Sequence, residues 1–386
     1  MRRYTGVSGV SLLAALTCIA CQTSDGFADG QKGETSKLAI SASVEGSGTR
    51  ADDEDYYKHN QFIKDRSVIR VVNTVNYATP DFTDGAGYYE YIYTTEGIAW
   101  EDDLPNFMPL KAGTGFGDPE RVDENGGFDW DMIVPTSNAF IFEAACYPMK
   151  YQHFDRITTD QSSEENFWSA DLLLAHTRKS LSERYELLKL KFWHVFSMIR
   201  VELKLPIAAA DEDSGFPEGS DDNRTVQKIT LSGMYVTYTT RYAESIVNYG
   251  RRTVVGSSDG GRQDISMYRL PGKDAITEEG GQRYLNCMFA AIVPTQQIRT
   301  QETLLELDIN TIVGFDSETM GNQIVEKKTY VFQPSVPIDM TQGNITVLRL
   351  TTDSETSSTL LLSAEVEPWD ESYTDIDLTP QPAASE

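Results

Sequence analysis

The sequence predicts an all-β protein of the β-sandwich kind. Three observations carry that expectation. Short runs of alternating apolar residues recur along most of the chain, separated by Gly, Pro, Asn and Asp. Tyr (19), Phe (16) and Gly (28) are plentiful, which suits pleated surfaces and tight turns better than helical bundles. One stretch alone, Asp171 to Ser182, reads as a short helix. At 386 residues the chain is long enough for about two to three domains, each able to bury a core without disulfides or metals.

The first element reads as a targeting segment. Arg2 and Arg3 precede an apolar stretch from Val10 to Ile19, the length of a signal-peptide core and too short to span a bilayer. It ends at Cys18-Ile19-Ala20-Cys21, where a small residue directly before a Cys resembles a bacterial lipoprotein cleavage site. Cys18 departs from the Leu or Val usual at that position. Residues 1–20 are therefore expected to be a signal peptide. Cys21 is expected to carry lipid and hold the chain at a membrane without spanning it.

Residues 22–37 are polar, small and Gly-containing, as in a flexible tether. A short strand follows, with Leu38, Ile40, Ala42 and Val44 at alternate positions. Arg50 then sits in a Gly/Ser-rich loop before the acidic run Asp52 to Asp55, an accessible place for a trypsin-like protease.

From Phe62 onward the pattern is β. Strands are expected at Ser67 to Val72, Gly87 to Tyr93 and Asn138 to Pro148, with residues 101–129 read as loop. In residues 187–205 the apolar positions are Leu188, Leu190 and Phe192, then Ile199, Val201, Leu203 and Leu205. The buried set moves from even to odd numbers, so the spacing predicts a bulge or bend between Phe192 and Ile199. The Asp/Gly/Pro-rich stretch at 206–225 reads as a domain boundary. Further strands are expected at 228–235, 284–294, 304–309, 328–332, 345–350 and 360–366.

Charge and motifs narrow the function. With 33 Lys+Arg against 59 Asp+Glu the net charge is −26, and loss of residues 1–20, which hold two Arg and no acid, makes it −28. Such a surface repels phosphate backbones and anionic membrane faces, so no nucleic-acid partner is expected, and membrane contact is expected through the lipid only. Cys146 and Cys287 lie in separate apolar runs and read as two buried thiols rather than a disulfide. No Cys/His spacing suits zinc, and the glycines at 113, 115 and 117 lead into Asp118-Pro119 rather than a helix. The acidic clusters at 52–55, 211–213 and 221–222 lack the spacing of a calcium loop and read as solvated loops. Asp129 and Asp131 flank Trp130, a weak carboxylate pair. His194 has no nucleophile or acid near it in sequence and reads as a hydrogen-bonded core histidine. No catalytic residue, cofactor or metal is assigned, and the chain reads as a non-enzyme.

The run Asp171 to Ala175, followed by Phe192, His194, Ser197, Ile199 and Val201 in an F-x-H-x-x-S-x-I-x-V pattern, resembles the fimbrillin family of Bacteroidetes lipoproteins. Shorter matches run along the mature chain: Ile69-Arg70-Val71, Cys146-Tyr147-Pro148, Ile292 to Gln296 and Val366 to Trp369. Trp193 inside the His motif and Thr295 before Gln296 are departures. The resemblance implies two tandem transthyretin-like, immunoglobulin-like β-sandwiches, here over 51–205 and 206–386, the second with a polar tail. It also implies export as an outer-membrane lipoprotein and cleavage between Arg50 and Ala51. That cut would release residues 21–50, including the strand of Leu38, Ile40, Ala42 and Val44. Assembly into type V pili at the cell surface by strand exchange would follow, so the implied partners are other copies or related pilus subunits. A surface lipoprotein that does not polymerise, and binds glycan or host protein through its loops, is the alternative.

Overall fold

The structure is a computed structural model, and it describes residues 37–44, 62, 66–74, 88–93, 106–111, 122–123, 126–135, 139–147, 155–207, 224–242, 252–315, 323–351 and 361–368. The described residues are mostly strand, with little helix. In the first part lie β1 (Ile40–Val44), β2 (Val68–Asn73), β3 (Tyr89–Tyr93), β4 (Asn106–Pro109), β5 (Ala139–Tyr147), β6 (Leu173–Ser180) and β7 (Leu188–His194). They close into a barrel in the order β1-β4-β3-β2-β5-β6-β7, with β7 returning to β1.

The remainder comprises β8 (Ser197–Ile207), β9 (Arg224–Tyr242), β10 (Arg252–Ser266), β11 (Tyr268–Arg269), β12 (Ala275–Glu279) and β13 (Gln282–Val293). Then come β14 (Gln296–Ile298), β15 (Leu305–Phe315), β16 (Gln323–Phe332), β17 (Ile338–Met340), β18 (Asn344–Thr351) and β19 (Leu361–Pro368). One sheet runs β10-β9-β15-β16, and a second runs β11-β13-β8-β18-β19 with β12 on β13. A two-stranded sheet, β14-β17, completes the set.

Three expectations change. The helix read at Asp171 to Ser182 is instead β6, paired with β5 and β7 on its two sides. The helix lies upstream, as α1 (Glu164–Ser169). There the Ser163 hydroxyl accepts from the Asn166 N–H at 3.3 Å, and Glu164 and Glu165 face the positive helix end. Residues 101–129, read as loop, contain β4, a barrel strand. The expected boundary at 206 falls inside β8. Sheet membership changes earlier, at Val195-Phe196, because β8 pairs with β13 and β18 and takes no part in the barrel. The parity change between Phe192 and Ile199 therefore marks a change of sheet. Along β8 both faces are buried over Ser197–Val201, which erases alternation there.

The core is continuous between the two parts. Gln161 donates to the Ile292 carbonyl at 2.9 Å and accepts from the Ile292 N–H at 2.8 Å. Phe167 of α1 stacks on Tyr268 at 5.3 Å between ring centroids. Residues 155–161 also bond along β9 and β10 through Ile157 to Val236 and Gln161 to Ser266. Buried apolar residues of barrel and sheets accordingly form one cluster rather than two separate cores.

Gly127 shows how tightly the barrel end is closed. Its φ is +76°, and an added Cβ would lie 2.7 Å from Tyr91 Oη and 2.9 Å from Pro109 Cβ. That same hydroxyl accepts from the Phe128 N–H at 2.8 Å. Gly127→Ala combines left-handed strain with overpacking and is expected to cost about 2–4 kcal/mol, read by equilibrium urea unfolding.

Candidate functional site: the closing strand of the barrel

β1 sits between two neighbours of opposite polarity. Ile40 to Val44 run parallel to Leu188 to Phe192 of β7, position for position. On the other side Ile40 and Ser41 face Phe107 and Asn106 of β4 in antiparallel register. Just before the strand, the Leu38 N–H donates to the Phe128 carbonyl, and the Ala39 carbonyl accepts from the Leu188 N–H, each at 2.9 Å. Lys37 bridges to Asp129. The strand is thus held by main-chain bonds on both edges, and among the described residues no other strand separates β4 from β7.

Its side chains follow the alternation read in the sequence. Leu38, Ile40, Ala42 and Val44 are all buried in the core. Ser41, on the opposite face, is also fully enclosed, so the place holds a small residue there. Phe62 lies edge-on to Phe107 of β4 at 5.0 Å and to Phe192 of β7 at 5.5 Å. This aromatic group joins the walls on either side of β1, and it follows Arg50 in the chain. Burial of Leu, Ile or Val stabilises by about 1.5–3 kcal/mol each, so Leu38, Ile40 and Val44 together contribute about 4–9 kcal/mol.

The motif residues are split between the two parts. Phe192 and His194 lie in β7, facing Val44 and Leu173 respectively. Ser197, Ile199 and Val201 lie in β8, where the Ser197 hydroxyl donates to the Asn344 carbonyl at 3.2 Å. His194 Nδ1 lies 3.1 Å from Asp171 Oδ2, and both side chains are sealed from solvent. Cys21, Arg50 and Ala51 lie outside the described residues.

Cys146, Leu173 and His194 occupy successive register positions across β5, β6 and β7, which leaves the thiol two strands from the imidazole but within reach of the Asp171 charge. The arrangement is structural. Burial pushes the Cys146 thiol well above its ordinary range, and the negative charge of Asp171 pushes it further, so it stays protonated. Burial also pushes the Cys287 thiol up to about 12. Both cysteines are free and buried. Neither is expected to react with an aromatic disulfide reagent at pH 8 until denaturant is added, and rapid native labelling would contradict this. Asp131 is a surface partner of Arg184 at 2.9 Å and Tyr185 at 3.1 Å, not half of a carboxylate pair across a cleft. Among the described residues no cluster of His, Cys, Asp and Glu is placed to hold a metal.

Sequence reasoning missed two parts of this site. Phe107 was hidden in a stretch dominated by turn residues, and Phe62 stood alone after an acidic run. The short continuous apolar run Phe107-Met108-Pro109-Leu110 was the available signal for β4.

An all-β protein whose barrel is closed by one N-terminal strand is the class these observations define. No family model matches the chain, and no curated protein matches it. Among solved structures it is similar to a protein from Bacteroides ovatus named for cell adhesion, at 14% identity over 87% of this chain and 99% of that one, with a TM-score of 0.47. It is similar also to a fimbrial protein from Bacteroides vulgatus, at 14% identity over 86% and 99% with a TM-score of 0.36. A third is the fimbrial anchor protein Mfa2 from Porphyromonas gingivalis, at 9% identity over 86% and 98% with a TM-score of 0.30. Likenesses of that strength assign no activity to the chain.

Proposed function

We propose that the chain is a non-catalytic subunit of a surface fimbria of the type V pilus kind. It is exported as an outer-membrane lipoprotein on Cys21, and cleavage between Arg50 and Ala51 frees β1. The observation that carries this reading is the position of β1. It ends at Val44, six residues before Arg50, and among the described residues is the one strand between β4 and β7. Its departure leaves two strand edges with unpaired N–H and C=O groups flanking an apolar slot, a surface that another strand fills. The occupant is a strand from a further copy or a related subunit, and the C-terminal stretch is the proposed donor.

The test compares wild type with Arg50→Ala after treatment with an Arg-specific protease, imaged by electron microscopy. Polymer from wild type and monomer from Arg50→Ala is the expected result. Equal polymer from both rejects the mechanism, and cleaved wild type that stays monomeric favours the surface lipoprotein that does not polymerise. Membrane attachment is tested separately, by fractionating cells that carry Cys21→Ser. That variant is expected to leave the membrane fraction.

A further inference from the structure

The four-stranded sheet ends in β16, whose ladder partner among the described residues is β15 alone. Exposed apolar side chains lie toward its two ends, Ile324 at 49% and Val325 at 48% near one and Val331 at 58% near the other. Edge strands of this length and character template pairing with another chain unless they are blocked. The centre of the strand, Glu326-Lys327-Lys328, is the feature that either blocks it or selects its partner.

Laid antiparallel against a second copy of itself about a two-fold axis through Lys327, the strand complements itself. Glu326 falls opposite Lys328 of the other copy, twice. Ile324 falls opposite Tyr330, and Val325 opposite Thr329. Lys327 faces its own counterpart, but its ammonium lies 3.0 Å from Asp308 Oδ2, which compensates the charge within each copy. Asp308 is held below the ordinary carboxylate range by the Thr329 hydroxyl and by Lys327, so it stays ionised to supply that compensation. A register centred on Glu326 or on Lys328 sets that residue's charge opposite itself and loses the two Glu–Lys pairs. Charge and apolar pattern therefore favour one register.

We propose that β16 is an interface between two copies of this chain, paired antiparallel through Lys327 so that two four-stranded sheets become one. The pairing is isologous and needs no cleavage at Arg50, so it stands or falls independently of the function proposed above.

Cysteine cross-linking in the exported full chain tests it. In the proposed register position 327 lies opposite itself, at a separation a disulfide spans, whereas positions 326 and 328 are each offset from their own copies and lie too far apart. Lys327→Cys is expected to form covalent dimer under mild oxidation at least about tenfold faster than Glu326→Cys or Lys328→Cys. The chain without the added cysteine gives the baseline. Equal rates at the three positions, or no dimer above baseline at any, would overturn the proposal. Sedimentation of charge variants gives a second reading. Glu326→Lys is expected to weaken dimerisation about tenfold, and adding Lys328→Glu is expected to restore it to within about twofold. A double variant that stays as weak as the single one also overturns it.

Discussion

A chain that begins at Ala51 is expected to melt at least about 10 °C below the full chain as a monomer. The slot loses Leu38, Ile40 and Val44, an aliphatic burial of about 4–9 kcal/mol against a typical total stability of about 5–15 kcal/mol. It also loses the main-chain bonds that β1 makes to β4 and β7. Calorimetry on both chains reads the difference. A synthetic peptide covering residues 36–46, added in excess, is expected to restore most of the lost stability by refilling the slot. Unchanged melting of the shortened chain would mean that β1 is dispensable to the barrel, and strand exchange would lose its motive. Ile40→Asp asks the same question with one substitution, since an unpartnered carboxylate in the closed barrel costs several kcal/mol.

Asp171→Ala is expected to destabilise the chain by about 3–5 kcal/mol, because it leaves His194 in the core without its acidic partner. Replacing both members, as Asp171→Leu with His194→Leu, is expected to cost much less than the single change, since the desolvation of two polar groups is removed together. Urea unfolding of the three proteins decides it. A loss below about 1 kcal/mol in Asp171→Ala would show that the pair contributes little to the fold.

Much of the architecture was legible because alternation survives wherever one face of a strand is buried and the other is wet. Leu188 to Phe192 with Lys189 and Lys191 between them announces β7 plainly, and Leu38 to Val44 announces β1. β6 was illegible for the opposite reason. Leu172, Leu173 and Leu174 are all buried, on both faces, and the continuous apolar run imitates a helix. β10 carries the run Gly256-Ser257-Ser258-Asp259-Gly260-Gly261, which reads as loop. Of that run only Gly256 and Ser257 pair with β9, opposite Tyr238 and Thr237, and the ladder shifts register before it resumes at Arg262. Half of the candidate site was visible: the alternation of β1 was there to read. Its neighbours were not, because the parallel pairing of Ile40 to Val44 with Leu188 to Phe192 joins segments about 150 residues apart, and no local pattern encodes which distant strand receives which.

The short link between β7 and β8 bears on how the chain would carry tension. A strand in the slot lies parallel to β7, and pulling it along its axis loads the intervening hydrogen bonds together, in shear. β7 continues through Val195 and Phe196, both sealed in the core, directly into β8, an interior strand of the second sheet. Force entering at the slot thus passes to the far sheet through two buried residues, with no slack loop to pay out. Gln161, clasping Ile292 with two bonds, braces the same junction from the side. A pull strong enough to extend the chain at this point must first break a ladder, since β8 is paired on both sides.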